Sequence, residues 1–595
     1  MPTGGARTVP PRPAWLWPET RRQFVAWFVA ATIIFSGFTA WCFWGFFRGG
    51  LSVVAPLEHW GKAAETVPLR GWDQRYAIWA TVRNARAFLS PGQPFFDAGQ
   101  CYPAHDSLAL GHGVFVLGFL GIPATILSGD PLVVYNIVLL TLALTAPLAM
   151  YALVTDWTGL PVAGIVGGLI YGFHAAKLGD PDHLYVTDTV WTVLMLFFLR
   201  RALRDGNRFR CAVGFAFCVV GQLGADLYPA MGSVFVGALV LVGLVLENKM
   251  TKRLAVPALV ATLIIVVFSY EMYAPYFLLK KSGVVVERHR IFLALSALLP
   301  GGGLFPGWIA VLLAAVGSLG LRRPATPNGV PSRSVCLALL VAFCGISFLA
   351  MGGVFSVEAG RVWQREHSGT VAALPLEPSA AYEWLAGWMP GLNIGRAPAY
   401  MYGAAHVCVS VLAGLGCATV LTALLAGRRR SQAVGFAAAS LVVLSAITVA
   451  LTAPRFFMMR QRPAEEELAF FRELAKKQNN GPILELPLVD EIAWWDRASE
   501  SLLLAAYHRR PTSECFASFV VSSLPDSVRD AITTLPAPEA LHAIRAAGFT
   551  TILVHHDGGG RGYAEPFEAA ARNGGTGLTK VSATATRTAF AIQSD

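Results

Sequence analysis

Charged side chains are scarce in this chain, so the places where they gather stand out. Asp73, Asp97, His105, Asp106 and His112 fall within one stretch between apolar runs. Asp180, Asp182 and His183 share the turn Gly-Asp-Pro-Asp-His, and Asp226 occupies a later turn. A carboxylate beside hydrocarbon is costly unless it is solvated or put to use, which makes such a gathering a candidate site. Each acid taken alone also fits a solvated loop, so the set carries more weight than its members. Asp180, Asp182 and His183 offer ligands for a divalent metal, although the same turn is common without one. Lys280, Lys281, Glu287, Arg288, His289 and Arg290 form a mostly basic stretch of the kind that neutralises a phosphate or simply flanks a span. Arg396 stands just ahead of the apolar run that begins at Tyr400.

The elements that must position these residues are set by composition. Hydrophobic residues make up 54% of the chain and charged residues 14%, against roughly 25% charged in a soluble domain. With a mean hydropathy of +0.52, lipid has to be the solvent. The net charge of +10 lies in short loops between apolar runs, where Lys and Arg set topology and meet lipid headgroups. That placement argues against a nucleic-acid partner. Nine cysteines show no CxxC pair and no zinc-like spacing. Seven of them sit in apolar runs and read as small hydrophobes. Cys101 and Cys515 lie outside those runs, and a bridge between them is open if both face an oxidising compartment.

Twelve apolar runs are visible: 24–47, 108–128, 131–154, 158–175, 184–200, 210–224, 228–246, 254–276, 305–320, 334–352, 400–426 and 432–452. The first follows Arg21 and Arg22, is too long for a cleaved leader and reads as a retained anchor. Basic loops occur at the N-terminus and at Arg200–Arg210, Lys249–Arg253, Arg322–Arg333 and Arg428–Arg430. All five face the cytoplasm only if one run before residue 200 fails to cross. Run 108–128 contains Pro123 and four glycines and ends at Ser128-Gly129-Asp130-Pro131, so it is the one expected to be re-entrant or interfacial.

The predicted chain is therefore a polytopic α-helical membrane protein of the inner (plasma) membrane with about 11 transmembrane helices. Residues 1–23 are expected in the cytoplasm and 24–454 in the membrane domain, with a first outer loop at 48–130. Residues 455–595 form an outer α/β domain. In the outer loop, Gln74–Leu89 predicts an amphipathic helix whose Arg75, Arg83 and Arg86 suit the headgroup plane. In the outer domain, Glu465–Lys477 and 537–548 predict helices, and Ile483–Leu488, Thr550–Val554 and Thr588–Ile592 predict strands.

Three stretches resemble the GT-C superfamily of membrane glycosyltransferases, and within it bacterial proteins without an assigned acceptor. They are Gly71-Trp72-Asp73 followed by Phe95-Phe96-Asp97 and Cys101-Tyr102-Pro103; Ser128-Gly129-Asp130-Pro131 with Tyr135-Asn136; and Pro390-Gly391-Leu392 with Gly395-Arg396-Ala397-Pro398. The group usually carries a second Arg where this chain has Tyr400. The resemblance implies inverting transfer of a sugar from a polyprenyl-phosphate donor to a glycan, lipid or protein acceptor on the outer face. It implies Asp73 as general base with Asp106 next in line, and Arg396, Arg288 and His289 as contacts for the donor phosphate. Asp97, His105, Asp180, Asp182 and His183 are further candidates. No cofactor is expected, with a divalent metal as the open alternative. Two other readings are a transporter or flippase of a lipid-linked glycan, which would place ionisable residues on broken helices at mid-membrane, and a non-catalytic membrane scaffold with an outer binding domain.

Overall fold

The computed structural model describes residues 20–52, 71–92, 94–204, 207–247, 255–281, 292–319, 333–353, 378–388, 397–426, 431–454, 456, 463–476, 481–488, 491–516, 524–556, 564–574 and 576–593. Among the described residues, thirteen principal helices precede the C-terminal domain: α1 (Arg21–Cys42), α2 (Trp72–Leu89), α3 (Phe115–Leu127), α4 (Pro131–Thr158), α5 (Pro161–Gly172), α6 (Val190–Arg204), α7 (Arg208–Ala225), α8 (Leu227–Glu247), α9 (Ala255–Lys281), α10 (Trp308–Ser318), α11 (Arg333–Ala350), α12 (Tyr402–Ala426) and α13 (Ser431–Thr452). Seven of them, α1, α4, α8, α9, α11, α12 and α13, are long and apolar enough to cross a membrane. The other four predicted spans are also helical. Of these, α5 has 12 residues, α10 has 11 and α6 has 15, while α7 carries Arg208 and Arg210 at its start. Twelve residues reach only about 18 Å, less than the hydrocarbon thickness. Every residue of α5 is buried, so neighbouring helices rather than lipid surround it.

Local chemistry explains where these helices begin and how closely they pack. Thr20 and Gln23 cap α1 reciprocally. Asp130 accepts the Leu132 and Val133 amides ahead of Pro131, so the Ser-Gly-Asp-Pro turn launches α4. Where α10 crosses α12, Gly317 and Gly416 bring backbone against backbone: a Cβ on Gly416 would lie 1.8 Å from the Leu313 carbonyl. Small residues permit such crossings between helices in lipid. By contrast, α9 turns Leu259, Leu263, Val266 and Phe268 outward, as a lipid-facing helix does.

The 108–128 run becomes a short 3-10 turn, Ser107–Leu110, followed by α3. Its 13 residues are too few to span the hydrocarbon. Gly118 of α3 sits against the backbone and Cβ of Asn84 on α2, where no side chain would fit. The headgroup reading of α2 needs correction. The helix is walled in, with Tyr76 through Val82 all buried, and its arginines serve the protein. Arg83 donates to the Asp97 carbonyl at 3.1 Å and Arg86 to the Ala506 carbonyl at 2.7 Å, while Arg75 approaches the Ser499 hydroxyl at 3.5 Å.

Those contacts join α2 to the C-terminal domain, which comprises α14 (Glu465–Lys476), β1 (Ile483–Leu486), α15 (Glu491–His508), α16 (Asp526–Ile532), α17 (Pro538–Ala546), β2 (Thr551–His555), α18 (Glu565–Arg572), β3 (Leu578–Ala583) and β4 (Arg587–Ile592). The sheet order is β1-β2-β4-β3. As the sequence predicts, β1 and β2 are neighbours; they pair in parallel, with Ile483 opposite Thr551. The β2–β4 and β4–β3 pairs are antiparallel. Gly548, at a φ of 93°, ends the α17 helix as expected of a glycine cap.

A buried polar network ties the sheet to the helices beside it. Glu485 accepts from Ser501 and Thr512 at 2.5 Å each and from His555 Nε2 at 2.8 Å. His555 Nδ1 accepts from Arg587 Nε, and Arg587 pairs with Glu467 and Glu500. The loop after α2 is stitched to the same domain. The Cys101 and Tyr102 amides donate to the Glu514 and Thr512 carbonyls, the Thr512 amide donates to the Gly99 carbonyl, and Cys101 and Cys515 form a disulfide.

Candidate active site

Three helix starts and one turn build the candidate site. Gly71, at a φ of 129°, begins α2 in a conformation closed to other residues. Asp73 therefore lies in the first turn, where the helix dipole favours a carboxylate. Asp226 precedes α8, and its Oδ1 accepts the Tyr228 amide at 2.9 Å. Asp188 precedes α6, and its Oδ1 accepts the Val190 amide.

The turn between α5 and α6 carries Asp180, Asp182, His183 and Tyr185. Its two ends are clamped by the buried Lys177–Asp188 ion pair at 2.7 Å. Gln222 of α7 donates to the Asp188 carbonyl and so fixes the far end of the turn.

That turn delivers His183 between two carboxylates. Nε2 lies 3.2 Å from Asp73 Oδ2 and Nδ1 lies 2.9 Å from Asp180 Oδ1. Both ring nitrogens face acceptors, so both must carry hydrogen and the imidazole is held as a cation. Burial opposes that charge, but Asp180 and Asp73 together outweigh it and hold His183 well above the usual histidine range. The mouth is open: the Asp73 side chain is 38% exposed.

A second pair stands opposite, in which His112 Nδ1 donates to Asp226 Oδ2 at 2.6 Å. Five aromatic rings link the two pairs in a closed circuit. His183 neighbours Tyr400 (5.3 Å between centroids), Tyr400 neighbours Tyr228 (6.2 Å), Tyr228 neighbours His112 (6.2 Å), His112 neighbours Tyr185 (4.7 Å), and Tyr185 returns to His183 (6.0 Å). Tyr185 is fully buried at the base of this cup, and its hydroxyl has no hydrogen-bond partner among the described residues. Burial, then Asp73 and Asp226, push its phenol well above the ordinary tyrosine range, so it stays protonated and able to donate. The arrangement can hold a hydroxyl-bearing ring against aromatic faces while a carboxylate receives a proton.

Of the residues singled out in the sequence, Asp73, Asp180 and His183 meet directly. Asp182 is buried behind them and electrostatically coupled to Tyr135. Asp97, His105 and Asp106 form a separate turn. Asp97 Oδ1 accepts the Asp106 amide at 2.8 Å, and Oδ2 lies 3.6 Å from the outward-facing His105. Asp97 thereby shapes the loop that Arg83 also grips. Arg288, His289 and Arg396 lie outside the described residues. Among the described residues no group of three or more His, Cys, Asp or Glu is disposed to hold a metal ion; Asp180 and His183 engage each other.

Sequence reasoning named His112 and Asp226 without pairing them, and it missed the Lys177–Asp188 clamp and the roles of Tyr185, Tyr228 and Tyr400. One signal was available: Asp226 directly precedes an apolar helix and Asp188 stands two residues ahead of another, where a carboxylate has a capping reason to be ordered.

No family model matches the chain, and no curated protein does. Among solved structures it is similar to the arabinofuranosyltransferase AftD from Mycobacteria, at 14% identity and a TM-score of 0.44, covering 98% of this chain and 40% of that one. A mutant form of the same enzyme, R1389S, gives 15% identity and a TM-score of 0.47, with 97% and 42% covered. ArnT from Cupriavidus metallidurans in the apo state gives 14% identity and a TM-score of 0.35, with 96% and 99% covered. The chain thus spans about two fifths of the length of the first of these.

Proposed function

We propose that this multi-pass membrane protein is a glycosyltransferase that moves a sugar from a polyprenyl-phosphate donor to a hydroxyl acceptor at the outer membrane face. The observation that carries the proposal is the Asp73–His183–Asp180 relay at an open, aromatic-lined mouth. The sequence resemblance to GT-C enzymes supplies the reaction class, and Asp73 occupies the position that resemblance implies for the base.

The imidazolium pairs with Asp73 and fixes one of its oxygens. The acceptor O–H bond breaks and its proton passes to the Asp73 carboxylate. The acceptor oxygen attacks the anomeric carbon from the face opposite the phosphate, and the electron pair of the breaking C–O bond leaves with the phosphate. One displacement of this kind inverts the anomeric centre. Asp180 holds His183 in place and need not touch the substrate. The Cys101–Cys515 bridge supports an oxidising, extracytoplasmic compartment for the first loop and the C-terminal domain.

The test is sugar transfer from polyprenyl-phosphate-linked donors in membranes containing the wild type or Asp73→Asn. Asn keeps the shape and loses the base, so transfer should fall by roughly 100-fold. Undiminished transfer by the variant would remove Asp73 from the chemistry. A wild type that transfers no sugar from any such donor would hand the site to lipid-linked glycan transport or to a scaffold.

A further inference from the structure

We propose that His112, oriented by Asp226, is the group that binds the phosphate of the donor lipid, so that the cup divides its work between two imidazoles. This rests on the glycosyltransferase reading and assigns the half of the site that Asp73 does not serve.

The two imidazoles differ in the ring nitrogens they have to spare. His183 spends both on carboxylates, Nε2 on Asp73 and Nδ1 on Asp180. It has none left for a ligand, and its charge is already shared by two acids. His112 spends only Nδ1, on Asp226 at 2.6 Å, and its Nε2 has no partner among the described residues. Asp226 is 4% exposed at its side chain and is itself fixed by the Tyr228 amide. The imidazole is therefore rigidly aimed. The His112 side chain is 23% exposed, so the ring reaches the open side of the cup.

The cations of α2 are committed elsewhere. Arg83 and Arg86 bond backbone carbonyls, and Arg75 faces the C-terminal domain. Among the described residues, the imidazole nitrogen that remains for a phosphate entering this cup is His112 Nε2, and a ring flanked by the phosphate and Asp226, both acceptors, carries hydrogen on both nitrogens. Tyr185 stands between the two imidazoles, with its unpartnered hydroxyl available to the same oxygens. As the C–O bond breaks, negative charge grows on the departing phosphate. A charge-assisted hydrogen bond from His112 Nε2 strengthens at that moment. No proton need be transferred for the step to balance, because the electron pair stays on the phosphate oxygen.

The experiment uses the purified full chain in detergent and native mass spectrometry with two probes, undecaprenyl phosphate and uncharged undecaprenol. The wild type should retain the phosphate lipid in preference to the alcohol. His112→Gln, which keeps a polar side chain and removes the imidazole, should lose roughly tenfold in affinity for the phosphate lipid only. His112→Lys should regain part of that loss. His183→Gln should bind the phosphate lipid about as well as the wild type, although it transfers sugar poorly. Unchanged phosphate affinity in His112→Gln overturns the assignment. So does an equal loss in His112→Gln and His183→Gln, or a loss that His112→Lys does not recover, since either marks a structural role. The two readings fail separately. Binding that depends on His112 in a protein that transfers no sugar leaves this inference standing and removes the reaction. Transfer by a protein whose phosphate affinity ignores His112 does the reverse.

Discussion

The cup around His183 and the interior of the C-terminal domain use the same pair of groups, imidazole and carboxylate, at nearly the same distances. His555 meets Glu485 at 2.8 Å, and His183 meets Asp180 at 2.9 Å. Their surroundings differ. Glu485 and His555 are each about 1% exposed, and their bonding capacity is consumed by Ser501, Thr512 and Arg587. His555 donates through one nitrogen and accepts through the other, which is the pattern of a neutral ring. Burial opposes ionisation of Glu485, but the hydrogen bonds from His555, Ser501 and Thr512 prevail and pull it down to about 2. Such a closed network specifies a fold. In the cup, Asp73 faces the opening, and both His112 Nε2 and the Tyr185 hydroxyl have bonding capacity to spare. Chemistry follows from unfilled valence at an accessible edge, and the presence of a His–acid pair is not enough to indicate it.

The largest test of this contrast is Glu485→Ala. Removing the acceptor strands His555, Ser501 and Thr512 together, so the folded state should lose about 3–5 kcal/mol, read as a fall in the unfolding midpoint of the full chain. Transfer per folded molecule should be unchanged. If the variant folds normally and loses transfer, the inner network has a chemical role and the contrast breaks.

Asp180→Asn should act the other way. His183 loses one of its two anions and Asp73 a fixed partner, so transfer should drop roughly tenfold, about 1.4 kcal/mol in the barrier. The unfolding midpoint should hardly move. Tyr185→Phe sharpens the comparison further. Because the hydroxyl has no partner in the empty cup, its removal should leave stability equal or raise it by about 1 kcal/mol. Transfer should nevertheless fall a few-fold, and a variant with full activity would show that the hydroxyl meets no substrate.

The smallest effect on transfer belongs to Glu514, beside the disulfide. Burial, reinforced by Glu485, pushes its carboxyl up to about 8. The folded form thus binds a proton that the unfolded form has released above the ordinary carboxylate range. Stability is fully present at low pH and declines as pH rises towards 8. Glu514→Gln should flatten that decline between about pH 5 and 8, measured as unfolding midpoint against pH. A slope that survives the substitution assigns it to another group.

Much of the frame was legible because its causes are local. Apolar length predicts the spans, Asp130-Pro131 predicts the start of α4, and β-rich runs ending at turns predict β1 and β2. The strand β3 was missed because its interior, Thr579 to Ser582, is polar and largely exposed, as an edge strand's outer face is. The amphipathic stripe of α2 was visible, but a stripe does not say whether lipid or protein covers it. In this fold α3, α4 and α15 do. The Asp73–His183 and His112–Asp226 pairs escaped for a different reason. Their members are separated by 110 and 114 positions, and nothing in one sequence couples residues that far apart. The Asp180–His183 contact is local and lies within the turn that composition had already singled out.

The seam between residues 99–102 and 511–515 has a consequence in time. The first loop leaves the ribosome some 414 residues before the segment it is bonded to, so its Gly99, Cys101 and Tyr102 backbone groups must wait while the spans between them are inserted. The helix bearing Asp73 is likewise left without the wall supplied by α15 until residues 491–508 have been made. The Asp73 side of the cup is thus completed only after that segment emerges, and a chain cut short after α13 would carry that half of the site unfinished.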